Sequence, residues 1–180
     1  VDQLRRRGAA MLHNEEEAHN GGTVMIRSHG VGPEVMRKLQ NRGARVADAT
    51  CPYVAKIHKI ARDSGQAGAL LLVAGDENHP EVQGIVGHAA GPVWVFADLP
   101  QLQALWPQLE GRAPLWVVAQ TTFETTKWLE CVAFLKKVCT KCNVFDTICN
   151  ATWARQRETE ALAQHRDLMM VVGGKGSTNT

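Results

Sequence analysis

Val46-Ala47-Asp48-Ala49-Thr50-Cys51-Pro52 and Val144-Phe145-Asp146-Thr147-Ile148-Cys149-Asn150 carry the same frame twice. Each runs from a short apolar stretch into Asp-x-x-Cys, and the two cysteines stand 98 residues apart. The likeness extends upstream. Ile26-Arg27-Ser28-His29 ends an apolar run ahead of the first copy, and Val118-Ala119-Gln120-Thr121-Thr122 ends one ahead of the second. Both copies therefore read as apolar strand, polar tip, helix, second apolar strand, cysteine, and a new helix after the cysteine. Strands alternating with helices in this way form βαβ units and a parallel sheet.

Other segments fit the same reading. Thr23–Ile26, Ala69–Ala74, Val93–Phe96, Leu115–Ala119 and Leu168–Val172 are apolar runs of the length expected for buried parallel strands. Arg45–Ala47 and Asn143–Phe145 are shorter candidates. Pro33–Arg42 and Pro52–Ala61 each begin with proline, which the first helical turn accepts. In Thr126–Cys139 the apolar residues Trp128, Cys131, Val132, Leu135, Val138 and Cys139 recur at helical spacing. Residues 107–114 read as the clearest loop. The expected fold is α/β, built from repeated αβα lobes with mainly parallel sheets, and the 98-residue separation suits one such lobe.

The chain has 180 residues, of which 44% are hydrophobic and 21% charged, an ordinary globular balance. The net charge of +2 comes with no basic run, so neither a nucleic-acid surface nor a polybasic membrane anchor is expected. The apolar runs are too short to span a bilayer, and no signal-peptide pattern opens the chain. Five cysteines, an odd number without scaffold density, point to free or metal-bound thiols in a reducing, cytoplasmic setting. The chain starts at Val1 and stops in a glycine-rich turn, so it is expected to be part of a longer polypeptide.

In open α/β sheets, ligands bind beyond the carboxyl ends of the strands. Most of the distinctive polar residues fall at those tips. Cys51 and Cys149 each precede a helix, where the positive end of the macrodipole favours thiolate, the form that binds iron; taken singly, each reads equally as a small buried core cysteine. His79-Pro80-Glu81 places an imidazole and a carboxylate two residues apart, able to hold an anion and transfer a proton, though a capped helix start reads equally well. His29 lies in Ser28-His29-Gly30, a turn. Gln120-Thr121-Thr122 supplies hydroxyls. Gly173-Gly174-Lys175-Gly176-Ser177-Thr178-Asn179 has glycines that admit a phosphate to backbone N–H groups, with side-chain donors added, but it is not a Walker A loop and by itself reads as a plain glycine-rich turn. Cys131 and Cys139 are expected in the core, with Cys142 starting a strand. His13, His19 and His58 are expected to be solvated.

Taken together, Ser28-His29-Gly30-Val31, Asp48–Pro52, Gly75–Gly84, Gln120-Thr121-Thr122, Asp146–Thr152 with Arg155-Gln156, and Val172–Asn179 resemble the LytB family of 4-hydroxy-3-methylbut-2-enyl diphosphate reductases. The stretches occur in order across nearly the whole chain. The resemblance implies reductive removal of the hydroxyl of an allylic diphosphate, giving isopentenyl and dimethylallyl diphosphates in the methylerythritol phosphate route. It implies a 4Fe-4S iron–sulfur cluster at the centre of the lobes, held by three cysteines, and an external electron donor of ferredoxin or flavodoxin type. Cys51 and Cys149 match the second and third ligands, and Glu81 matches the proton donor. His29 and His79 match diphosphate-binding histidines, and Thr121 the threonine near the substrate hydroxyl. Ser177, Thr178 and Asn179 match the diphosphate loop, with Thr178 where serine is usual. The implied lobes are 1–51 (end of the first), 52–149 (the second) and 150–180 (start of the third). The first cysteine, one further histidine and one further serine have no match here, so a fragment lacking both ends, with little activity alone, is expected.

Two other readings compete. Zinc deaminases use His-x-Glu followed by Pro-Cys-x-x-Cys, which His79-Pro80-Glu81 and Cys139-Thr140-Lys141-Cys142 imitate. Val138 stands where proline is needed, and the cysteine pair falls at a helix end rather than a helix start. A non-catalytic, diphosphate-binding α/β module is the other.

Overall fold

The computed structural model describes residues 2–112, 114–174 and 177. After a short helix α1 (Asp2–Arg6) and a 3-10 turn at Glu15–Glu17, strand β1 (Thr23–Ile26) pairs in parallel with β2 (Arg45–Asp48) through the crossover helix α2 (Pro33–Asn41). Helix α3 (Pro52–Gln66) leads from this two-stranded sheet to a second sheet. There β3 (Leu70–Ala74), β4 (Val93–Phe96), β5 (Leu115–Ala119) and β6 (Cys142–Val144) lie in the order β4-β3-β5-β6, every pairing parallel. Helices α4 (Pro80–His88), α5 (Leu99–Leu109) and α6 (Thr125–Val138) connect them, and α7 (Asn150–Ala163) follows β6. A parallel pair cannot be closed by a hairpin, so each pairing demands its crossover.

The larger sheet is covered on both faces. Successive residues of a strand point to opposite sides. Leu70, Leu72 and Ala74 with Leu115, Val117 and Ala119 therefore face Leu102 and Leu109 of α5 and Trp128, Cys131 and Leu135 of α6. Leu71, Val73 and Val118 face Ile57, Ile60 and Ala61 of α3 and Val82 and Ile85 of α4. Every residue of β3 is buried, as a strand covered on both faces requires.

This arrangement creates a switch point. The chain leaves β3 toward the face covered by α3 and α4, and leaves β5 toward the face covered by α5 and α6. The two strands are neighbours, so their departing tips open a crevice between them, the place where open α/β sheets take ligands.

Three expectations about the elements are corrected. Leu168–Val172 forms no strand, and Leu168, Met170 and Val172 are exposed at 83%, 85% and 87%. An all-apolar parallel strand needs a neighbouring edge and cover on both faces, and no described residue supplies either. Helix α5 runs through Pro107 to Leu109 rather than ending in a loop at 107. Leu109 is buried and holds that last turn. His58 is buried at 6% exposure instead of solvated, because Val54, His58 and Ala61 share one helix face. Among the described residues no helix is long and apolar enough to cross a membrane.

Candidate functional site

The crevice between β3 and β5 is closed by backbone and side chains from both tips. Ala74 stands opposite Ala119, and the Gln120 N–H donates to the Ala74 carbonyl at 2.8 Å. Gly75 has no room for a side chain. A Cβ there would lie 2.7 Å from Val82 Cγ2 and 3.0 Å from Gln120 Oε1. Gln120 Oε1 also accepts from the Asp76 N–H at 3.2 Å.

The tip beyond β3 then enters α4. His79 caps the helix, its Nδ1 accepting from the Glu81 N–H at 3.2 Å, and Pro80 occupies the first turn. Glu81 is 1% exposed. Its Oε1 accepts from the Thr121 N–H at 2.6 Å and its Oε2 from the Thr121 hydroxyl at 2.7 Å. The carboxyl group is thus held by the β5 tip through two bonds. A threonine hydroxyl donates to a carboxylate and accepts from a carboxylic acid, so the pair can hold or pass one proton without losing its contact.

His29, at the tip of β1, brings its ring to 5.1 Å from that of His79, edge to face. Burial above all, with Arg27 and His79 adding positive charge nearby, holds the His29 imidazole below its ordinary pKa. Its Nδ1 is buried without a hydrogen-bond partner. The structure therefore gathers His29, His79, Glu81 and Thr121, four residues singled out in the sequence from three different segments. An arriving anion would find two imidazoles beside the buried Glu81–Thr121 pair.

Cys51 and Cys149 occupy equivalent positions in detail. Each is the N-cap of its helix, with φ/ψ of −58°/135° and −63°/137°. The Cys51 N–H donates to the Ser28 carbonyl at 3.0 Å, and the Cys149 N–H to the Thr121 carbonyl at 2.9 Å. Neither side chain makes a capping hydrogen bond, and both cysteines are free and half-buried. The Cys149 loop is tied to β5 by the Thr147 hydroxyl, which bonds the Ala119 N–H at 2.8 Å and the Ala119 carbonyl at 2.7 Å. The two cysteine-bearing ends adjoin, since Tyr53 and Lys56 of α3 share a cleft of about 220 Å³ with Asp146, Thr147, Ile148 and Asn150.

These thiols fit thiolate ligation of iron, being uncommitted and set at helix N-termini. They would supply two ligands. Among the described residues no group of three or more His, Cys, Asp or Glu side chains is placed to hold a metal. Cys131 lies in the core between α6 and the sheet, as expected, and burial pushes its thiol up to about 11. Cys139 and Cys142 are joined in a disulfide. The expectation of thiols only is corrected at this pair, where the end of α6 and the start of β6 bring the two Cα atoms to 5.8 Å. That distance lies within the range a disulfide can bridge.

Ser177 is exposed, and its N–H donates to the Gly174 carbonyl at 2.9 Å. Thr178 and Asn179 lie outside the described residues. His13, His19 and His165 are exposed. Sequence reasoning missed the cluster around His58. That ring stacks on His88 at 4.0 Å, and a cavity of about 360 Å³ beside it is lined by Asp48, Thr50, Arg37 and Arg62. This larger cavity lies between α2 and α3, away from Glu81. The 54–58–61 spacing on α3 was the available signal.

Fold and site together define an open-sheet α/β protein with a buried Glu81–Thr121 pair and two imidazoles at its switch point and a matched pair of free cysteines at helix N-cap positions. The family model for LytB protein matches residues 1–180, and the chain belongs to that family. It is 39% identical over 158 residues to the 4-hydroxy-3-methylbut-2-enyl diphosphate reductase of Helicobacter pylori (strain P12), covering 88% of this chain and 56% of the relative. The reductase of Citrifermentans bemidjiense is 39% identical over 180 residues, covering 100% and 62%. A solved structure of (E)-4-hydroxy-3-methyl-but-2-enyl diphosphate reductase, described as the terminal enzyme of the non-mevalonate pathway, superimposes with a TM-score of 0.76 at 34% identity, covering 99% of this chain and 63% of that one. The structure of the corresponding reductase from Plasmodium falciparum gives 0.89 at 25% identity, covering 99% and 56%. The chain thus spans roughly three fifths of the length of the relatives it matches.

Proposed function

We propose that this chain forms the greater part of an iron–sulfur reductase that removes the hydroxyl of 4-hydroxy-3-methylbut-2-enyl diphosphate, yielding isopentenyl and dimethylallyl diphosphates. The observation that carries the reading is the Glu81–Thr121 clamp at the switch point, with two imidazoles beside it and a thiol at each flanking tip. Cys51 and Cys149 would hold two irons of a 4Fe-4S cluster, a third ligand coming from outside these residues. When bound, such a cluster supplies electrons and a Lewis-acidic iron.

The chain's own residues do the rest. His29 and His79 bind the diphosphate, joined by Ser177, Thr178 and Asn179 of the glycine-rich segment. Thr121 orients the substrate hydroxyl, and Glu81 gives up its proton so that the hydroxyl leaves as water. Burial of Glu81 excludes bulk water from that transfer. Residues 1–51, 52–149 and 150–180 belong to three successive αβα lobes around the site. The setting is the cytoplasm, with a ferredoxin- or flavodoxin-type electron donor and neither nucleic acid nor membrane as partner. The 180-residue chain alone, with two thiolate ligands, turns over little substrate.

The test is anaerobic expression of the whole protein, followed by assay of iron, labile sulfide and zinc. Iron and sulfide lost in Cys51→Ser and Cys149→Ser, and turnover lost in Glu81→Gln, are the expected results. Zinc without sulfide would refute the cluster. Turnover unchanged in Glu81→Gln would remove Glu81 from the proton path.

A further inference from the structure

Three segments of the proposed site meet at one side chain that takes no part in it. His58 projects from α3, the helix that Cys51 caps. Its ring is wedged between two glycines. A Cβ on Gly30 would lie 2.5 Å from His58 Cε1, and one on Gly84 would lie 3.2 Å from His58 Nε2 and 3.5 Å from the His29 carbonyl. Gly30 has φ +68° and directly follows His29. Gly84 lies on α4 one turn after Glu81, and His88, one turn further, stacks on His58 at 4.0 Å while its Nδ1 bonds the Gly84 carbonyl at 2.9 Å. The loop after His29 also meets α4 backbone to backbone, where a Cβ on Gly87 would be 3.1 Å from Gly32 Cα.

The geometry points to His58 as the positioning residue for His29, and so a determinant of diphosphate affinity; this rests on the reading of His29 as a diphosphate ligand. The two ends of the site differ in what holds them. Glu81 is clamped by two hydrogen bonds from Thr121 and keeps its place without His58. The His29 ring has no hydrogen bond on its buried Nδ1 and rests on packing. The Cys51 N–H bond to the Ser28 carbonyl and the Gly32–Gly87 approach hold the ends of its loop, and the side chain packed on the residue next to His29 is the His58 ring against Gly30. Only glycine fits there, because the position needs both a left-handed backbone and no side chain. Burial holds the His58 ring neutral, so it acts by shape rather than by charge.

The test measures binding of inorganic diphosphate by calorimetry to the whole protein, with KM and kcat on the same samples. His58→Ala is expected to weaken diphosphate about tenfold, the scale of one side chain that must be re-ordered on binding, and to raise KM alike while kcat stays near wild type. Leu135→Ala, in the core on the opposite face of the sheet, serves as the destabilised control and leaves affinity unchanged. Gly30→Ala should weaken diphosphate too, and the double variant should lose less than the two single losses combined. If His58→Ala does not fold, His58→Gln, which keeps length but not the ring, takes its place with the same expected shift. Wild-type affinity in the folded variant overturns the proposal and leaves the site reading intact. A fall in kcat with KM unchanged overturns it also. A wild-type protein that binds no diphosphate overturns both.

Discussion

Replacing Thr121 with valine removes one hydroxyl while keeping the side chain's shape and the strand backbone. The hydroxyl lost is the one that donates to Glu81 Oε2 at 2.7 Å, between two residues exposed at 7% and 1%. A buried donor or acceptor left without its partner costs about 1–3 kcal/mol. The Thr121 N–H bond at 2.6 Å survives, so the loss stays near 2 kcal/mol. For a chain of this length that lowers Tm by about 4–8 °C. Glu81→Met should cost a similar amount, by leaving the Thr121 N–H and hydroxyl without their acceptor. Removing both partners leaves a single orphaned N–H, so the double variant should cost less than the two single changes together, with a coupling of about 1–3 kcal/mol. Urea unfolding of the four proteins at pH 7 reads this directly. Additivity within about 0.5 kcal/mol would show that the two residues do not act as a unit, and the proton-holding pair would have to be abandoned.

Three further outcomes follow from particular groups. His58 titrates near 4 in the fold against 6.5 ordinarily, for burial first and then for the nearby charges of His88 and Arg62. Between those values the unfolded chain takes up a proton that the fold refuses, so stability is full above about pH 6.5 and falls as pH drops toward 4. His29 and His88 are lowered as well and act in the same direction. His58 alone should make the unfolding free energies at pH 7 and pH 4.5 differ by about 2–3 kcal/mol, and His58→Leu should flatten the dependence. Among the free thiols, Cys51 and Cys149 should alkylate in the folded, cluster-free protein, while Cys131, buried and held near 11, reacts only on unfolding. Mass spectrometry of peptides after timed alkylation checks the order. The Cys139–Cys142 disulfide closes a loop of sequence separation 3. So short a loop restrains the unfolded chain little, and Cys142→Ser should cost about 2 kcal/mol by urea unfolding.

Sequence patterns revealed the parallel strands because each is a short apolar run with glycine or a polar tip at its end. β1, β4 and β5 fall on the expected residues. Leu168–Val172 has the same local pattern and forms no strand, because pairing depends on a neighbour that local composition does not encode. The residues gathered at the crevice were visible for a similar reason. Polar side chains at strand tips stand out, as His79-Pro80-Glu81 and Thr121 do. His58 was not, because its neighbours Lys56 and Lys59 look solvated, and the glycines that enclose it come from elsewhere in the chain. The disulfide was likewise hidden. Cys139 fits an apolar helix face, and only the turn between α6 and β6 shows the two sulfurs facing each other.

The two cysteine caps share more than a residue type. Each sulfur is carried on a backbone whose position is set by a main-chain bond to the tip of the neighbouring parallel strand, Ser28 beyond β1 in one case and Thr121 beyond β5 in the other. Main-chain bonds are indifferent to the side chains around them. The spacing of the thiols can therefore survive drift in the flanking sequence, and Ala49-Thr50 and Thr147-Ile148 already differ between the two copies. A Cys→Ser change at either position should alter the ligand atom and leave its address in space untouched, which makes the pair a scaffold on which other donor atoms could be tried one at a time.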